Sequence, residues 1–233
     1  MSRKQREKEI LTEKEENSLK EIFNSNNKVF ISGILEEEFE YDYGIDYREF
    51  YHNKVRTQRY SEILDTIPII VSMPVLIKNK AFNKKMKGKF VEVSGVVRSY
   101  NKVDVDGVRH LELFIFVTEI NIYESEQGVI NANSIFLSGY IVRPTVFKER
   151  SFGKKVTEML IAVNRPRSGK PDYIPCIAWN DVAEWAKERK VGDLIEFYGR
   201  FQSRKYIKKK PEIEQKEAFE ISVMYLEKGN INW

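Results

Sequence analysis

The chain has one cysteine, Cys176, and two histidines, His52 and His110. A lone cysteine excludes an intrachain disulfide, and its place in the apolar run IPCIA favours a small buried hydrophobe over the alternative of a reactive thiol. The histidines stand apart from each other and from the thiol, so no metal-ligand spacing arises. No P-loop or nucleophile elbow is found. GIDYREF and the run Glu36 to Glu38 supply carboxylates without a partner set, which makes a carboxylate nuclease the weakest reading. The expectation is a protein that is not an enzyme and needs no cofactor and no metal. No stretch approaches the roughly 18 apolar residues of a membrane span, and the opening MSRKQREKEILTEKEE lacks the continuous apolar segment of a secretory signal. A soluble, cytoplasmic chain without membrane contact is expected.

At 233 residues the sequence has room for one large domain or two small ones. Its hydrophobic fraction of 42% and aromatic fraction of 12% are those of a chain that folds. The net charge of +4 is unevenly placed. Residues 131–233 carry 19 Lys and Arg against 13 Asp and Glu, whereas residues 27–130 carry 14 against 16. A polyanion therefore prefers the C-terminal part.

The sequence repeats itself. NKVFISGIL (27–35) is echoed by NSIFLSGYI (133–141), IPIIVS (67–72) by IPCIAW (174–179), KGKFVEVSGVVRS (87–99) by VGDLIEFYGRFQS (191–203), and LELFIFVTEI (111–120) by EAFEISVMYL (217–226). Four matches in one order, at nearly constant offset, indicate a duplicated unit. The expected organisation is an N-terminal helical extension (1–26), a first copy (27–130) and a second (131–233).

Each copy reads as short strands rich in Val, Ile, Phe and Tyr, separated by Gly, Asn, Asp and Lys turns. In the second copy the strands fall at 133–142, 156–164, 173–179, 193–206 and 217–226. One helix, 181–190, follows the third strand, with Asp181 as its cap and Glu184 completing a capping box. The first copy has a fainter counterpart at 75–86 after Pro74, and residues 2–23 form a polar helix candidate. Five strands with one helix between strands 3 and 4 fit a small closed barrel, with a sandwich as the alternative. The fold class expected is thus all-β: two tandem five-stranded barrels, each with a short helix between strands 3 and 4, preceded by an N-terminal helix.

NSIFLSGYIVRP, FGKKVTEMLIAVNRP, DYIPCIAWNDVAEWA, VGDLIEFYGRFQSRKY and FEISVMYLEKG, in that order, resemble the bacterial single-stranded DNA-binding protein family over nearly the whole second copy. The first copy resembles it more faintly. The resemblance implies that each barrel is an OB-fold. It also implies binding of single-stranded DNA in replication, recombination or repair. Family members that coat strand generally end in an acidic tail with an apolar tip, whereas this sequence ends YLEKGNINW, so tail-borne recruitment is not expected. A tandem arrangement is similar to two-barrel members in which a homodimer assembles four barrels. Primosomal replication proteins of the same superfamily also lack the tail, and that branch stays open.

Binding single strands without reading sequence requires cations along the phosphates and flat rings for the bases. Tyr173 and Trp179 end one predicted strand at even spacing, so they share a face. Tyr206 follows Arg200, Arg204 and Lys205. The resemblance places aromatic stacking sites at Trp179, Tyr206 and Tyr173, and another aromatic where this chain has Arg167, whose guanidinium can stack as well as pair. Arg165, Arg167 and Lys170 in NRPRSGKPD flank that face, and Arg143 closes NSIFLSGYIVR. Trp185, on the helix among alanines, reads as packing. KYIKKKPEIEQKE (205–217) reads as an extended hairpin loop, and RSFGKK (150–155) as a hairpin turn. The lysines of both are either a DNA arm or solvated surface.

Where the second copy has Tyr173, Trp179, Arg204 and Tyr206, the first has Thr66, Ser72, Tyr100 and Lys102. Its EEEFEYDYGIDYREF (36–50) is acidic and reads as a solvated loop that repels phosphate, or as an imitation of nucleic acid. The first copy is expected to bind strand weakly or to serve dimerisation or partner docking. The partners expected are single-stranded DNA, a second copy of the chain and replication proteins. The alternative is a protein-interaction adaptor with residual nucleic-acid affinity.

Overall fold

The alternation in NKVFISGIL buries Val29, Ile31 and Leu35 on one side of a strand. The same spacing in NSIFLSGYI buries Ile135, Leu137 and Ile141. Around these two strands the computed structural model builds a twelve-stranded sheet. It describes residues 26–45, 47–59, 61–79, 85–103, 107–124, 132–165, 169–208 and 214–227. The predicted N-terminal helix lies outside the described residues, as does the expected boundary between copies at 130/131.

The first copy supplies β1 (Asn27–Leu35), β2 (Glu40–Ile45), β3 (Arg48–Gln58), β4 (Leu64–Ser72), α1 (Met73–Lys78), β5 (Phe90–Val103) and β6 (Arg109–Tyr123). The second supplies β7 (Asn133–Ile141), β8 (Val146–Glu149), a 3-10 turn (Ser151–Gly153), β9 (Lys155–Val163), β10 (Asp172–Trp179), α2 (Asn180–Lys187), β11 (Leu194–Lys208) and β12 (Glu214–Leu226). In each copy five strands close on themselves. β1 pairs β3, β3 pairs β4, β4 runs parallel to β6, β6 pairs β5, and β5 returns to β1. β7, β9, β10, β12 and β11 repeat that circuit. The two closed barrels match the expected architecture, with β2 and β8 added as hairpin strands on their rims.

The repeat motifs have structural jobs. Side-chain Oδ1 of Asn27 accepts from Val97 N at 2.9 Å while its Nδ2 donates to Val97 O at 2.8 Å. Asn133 makes the same pair of bonds with Phe201, at 2.9 and 2.8 Å. The glycine of each Ser-Gly lets another strand cross closely. A Cβ on Gly33 would meet Arg56 O at 2.1 Å, and one on Gly139 would meet Ala162 O at 2.8 Å. The motifs also pair with each other: β1 and β7 run antiparallel with Val29 opposite Ile135, Asn27 opposite Leu137 and Ile31 opposite Asn133. The copies are thus joined about a local two-fold.

Several local expectations change. The acidic stretch 36–50 is largely the β2–β3 hairpin rather than a loop, held by Tyr43 stacked on Phe50 at 4.8 Å. Two of its carboxylates are neutralised by β3: Glu36 pairs Arg56 and Glu37 pairs Lys54, each at 2.9 Å. The helix of the first copy is one short element with Pro74 in its first turn. Helix α2 starts one residue early, so Trp179 is its cap and makes no side-chain capping bond. Asp181 sits inside the first turn, and Glu184 is held by Lys155 at 2.6 Å and by Lys187 rather than by a capping box. β11 and β12 extend into the predicted 205–217 loop.

Candidate nucleic-acid interface

Strand β10 buries Asp172, Ile174, Cys176 and Ala178 and turns Tyr173 outward, 43% exposed, with Trp179 half-buried at its end. The two rings share the outer side, as their even spacing requires. Six steps of about 3.3 Å put them roughly 20 Å apart, so they are separate platforms and not one clamp. Trp179 stands opposite Val156 of β9, and Tyr173 opposite Ala162. Trp185 has the other role: it packs on the core and carries the Arg189 guanidinium 4.7 Å from its ring centre. Burial pushes the Cys176 thiol well above the usual thiol range, so the neutral form persists and the small-hydrophobe reading holds.

The cations divide into engaged and exposed groups. Arg165 is fixed on the fully buried Asp172, with Nε donating to Oδ2 at 2.8 Å and Nη2 to Oδ1 at 2.6 Å. Arg200, half-buried on β11, has its basicity lowered by burial and by the neighbouring Arg59 charge. Its Nε donates to Gln202 at 3.3 Å. Arg204 lies 3.4 Å from Glu220, and Lys205 is exposed opposite Glu217. Lys170 and Arg143 are exposed, ahead of β10 and after β7. Tyr206 lies on β11 opposite Lys216. Arg167 lies outside the described residues. Strand β12 runs between β10 and β11, so the outward aromatics and the cations of Arg200, Arg204 and Lys205 are two strands apart on one barrel.

Two features escaped the sequence reading. The first is a pair of matching ion clamps between barrels. Asp172 accepts from Ser99 N at 2.7 Å and from Arg98 at 2.9 Å, while Arg165 donates to Ser99 O at 3.0 Å. On the other side Asp65 holds Arg59 through two bonds of 2.5 Å and accepts from Ser203 N at 2.8 Å, and Arg59 donates to Ser203 O at 3.1 Å. The second is an aromatic cavity of about 630 Å³ between the first barrel and Arg165 of the second, lined by Tyr43, Tyr100, Phe114 and Phe116 with the cations Arg98 and Arg165 and the carboxylate Asp42. The repeat sets Glu220 and Ser222 of the second copy against Phe114 and Phe116. Period-two alternation in LELFIFVTEI, which buries Leu113, Ile115 and Val117, was the available signal for these rings.

Residues 132–228 match the model of the single-strand binding protein family. A single-stranded DNA-binding protein of Thermus thermophilus is 34% identical over 71 residues, which cover 29% of this chain and 27% of that relative. The chain thus matches about a quarter of the length of this curated relative. The crystal structure of the wild-type single-stranded DNA-binding protein from Thermus aquaticus superposes with a TM-score of 0.66 at 19% identity, covering 86% of this chain and 91% of that one. A deletion variant of the same protein gives 0.67 at 18% identity, with 86% and 93% covered. The likeness extends the fold across both barrels.

Proposed function

We propose, from the match of residues 132–228 to the single-strand binding protein family, that this protein binds single-stranded DNA without catalysis, holding it for replication, recombination or repair. The observation that carries the reading is the outward placement of Tyr173 and Trp179 along β10. Base stacking on such rings contributes roughly 1 to 3 kcal/mol per base and tolerates any sequence. Tyr206 adds a third ring. Arg143, Arg167, Lys170, Arg200, Arg204 and Lys205 neutralise phosphates, and Arg165 offers a guanidinium whose direction Asp172 sets. The reading fits the excess of positive charge in the second copy.

Of the roles expected for the first barrel, strand binding is the one proposed here. Tyr43, Tyr100, Phe114 and Phe116 offer rings that the repeat does not carry at Thr66 and Ser72, which supports a share in strand binding. A homodimer of two-barrel chains is part of the same proposal. The outer face of the central strands supports it, with Phe30 41% exposed and Phe136 packed 5.1 Å from Tyr198.

Titration of oligo-dT into the protein, followed by intrinsic tryptophan fluorescence, tests the reading. Quenching that saturates at low salt is expected; no quenching and no binding at low salt would overturn it. Sedimentation of the free protein tests the dimer.

A further inference from the structure

The connection between β8 and β9 carries Phe152 at its tip with φ 64° and ψ 28°, and the ring is 101% exposed. The connection between β2 and β3 carries Tyr47 with φ 64° and 109% exposure. Glycine or asparagine takes this left-handed backbone readily, whereas a bulky residue is strained there and a bare ring in water gains nothing from the core. Each residue stands at the tip of its copy's rim hairpin, although the registers differ by one: Trp179 faces Val156, four residues beyond Phe152, and Ser72 faces Phe50, three residues beyond Tyr47. The copies differ at Trp179 and Tyr173, where the first has Ser72 and Thr66, yet each carries an exposed aromatic with positive φ at the tip of its rim hairpin.

The tip overhangs the end of the sheet where Trp179 stands. Trp179 is opposite Val156 in the β9–β10 register, four residues beyond Phe152. Arg150 N donates to Lys154 O at 2.8 Å and closes the turn, which puts two exposed cations on either side of the ring. Lys155 is committed to Glu184 at 2.6 Å, but among the described residues no ion pair engages Arg150 or Lys154 and no ring contact engages Phe152. A strained, uncovered ring between two unpaired cations matches a nucleotide, with its π face and its flanking phosphates.

We infer that Phe152 is a base-stacking platform of this protein, with Arg150 and Lys154 on the adjoining phosphates, and that it receives the single strand after Trp179. The inference rests on the proposed function and extends the path beyond the barrel face. The variant Phe152→Asn suits the test because asparagine tolerates the left-handed backbone, so the fold is spared.

The experiment titrates the parent, Phe152→Asn, Phe152→Trp and Trp179→Ala with a long and a short dT oligomer, alongside thermal melting and sedimentation. Phe152→Asn is expected to weaken binding of the long oligomer about five- to hundredfold, to leave the short one unchanged, and to melt at or above the parent. Phe152→Trp is expected to retain affinity. The inference fails if Phe152→Asn binds the long oligomer as the parent does while Trp179→Ala is weakened, including the case in which only the oligomeric state moves. If the parent binds neither oligomer, the proposed function itself fails and takes this inference with it.

Discussion

Asp172 of the second barrel holds the backbone of Ser99 in the first, its Oδ1 accepting from Ser99 N at 2.7 Å from a site with no solvent exposure. Asp65 does the same to Ser203 in the reverse direction, at 2.8 Å. With the β1–β7 pairing between them, the two carboxylates fix one barrel against the other on both sides of the local two-fold.

Replacing Asp172 by alanine therefore strands the Arg98 and Arg165 guanidiniums, which are 22% and 31% exposed, without their carboxylate. Removing one partner of a buried pair costs about 3 to 5 kcal/mol, and the partial exposure of both arginines points to the lower end. Urea unfolding is expected to show that loss. Asp65→Ala is expected to cost at least as much, because Arg59 is only 13% exposed. An unfolding midpoint unchanged by either variant would remove the clamps from the account of domain fixation.

Trp179 and Trp185 separate under the same assay. Trp179→Ala is expected to lower oligo-dT affinity by about 1 to 3 kcal/mol and to abolish most of the quenching. Trp185→Ala removes a partly buried ring packed on the core beneath Arg189, so it is expected to cost stability at or below the lower end of the roughly 3 to 5 kcal/mol of a buried tryptophan and to leave the quenching in place. The reverse pattern would exchange the two roles.

Much of this was legible in the sequence, and the illegible part has a common cause. The strands, α2 and the outward placement of Tyr173 and Trp179 follow from periodicity along one strand or helix, whereas closure into barrels rather than a sandwich is what the family resemblance implies. Asp65 and Asp172 act only because a serine of the other copy arrives beside them, which no local pattern announces. Phe114 and Phe116 resemble core residues until Leu113 and Ile115 are seen to point inward. The hairpin at 36–50 was hidden by its glutamates, whose charges Arg56 and Lys54 offset across the strands.

Salt dependence distinguishes exposed cations from engaged ones. For single strands the slope of log affinity against log salt is about −0.7 per phosphate contact. Lys205→Ala is expected to make the slope shallower by about that amount while leaving the melting temperature unchanged. Arg165→Ala breaks bonds to Asp172 and to Ser99 O, so its first effect is expected in thermal stability. Equal slopes for parent and Lys205→Ala would remove that lysine from the phosphate path.

The Ser-Gly motif offers a test of the fold independent of DNA. An alanine at Gly33 must place its Cβ against Arg56 O, which a glycine leaves at 2.1 Å from the Cβ position; at Gly139 the corresponding distance, to Ala162 O, is 2.8 Å. Both obstacles are backbone atoms of a paired strand, so relief requires moving β3 or β9 and not merely a side-chain rotation. Overpacking of this kind costs about 1 to 3 kcal/mol. Gly33→Ala faces the closer approach and is expected at or beyond the upper end, Gly139→Ala nearer the lower. Denaturant unfolding of the two variants gives the order directly. A larger loss at Gly139 would mean that the second barrel closes more tightly at β7 and β9 than the first does at β1 and β3.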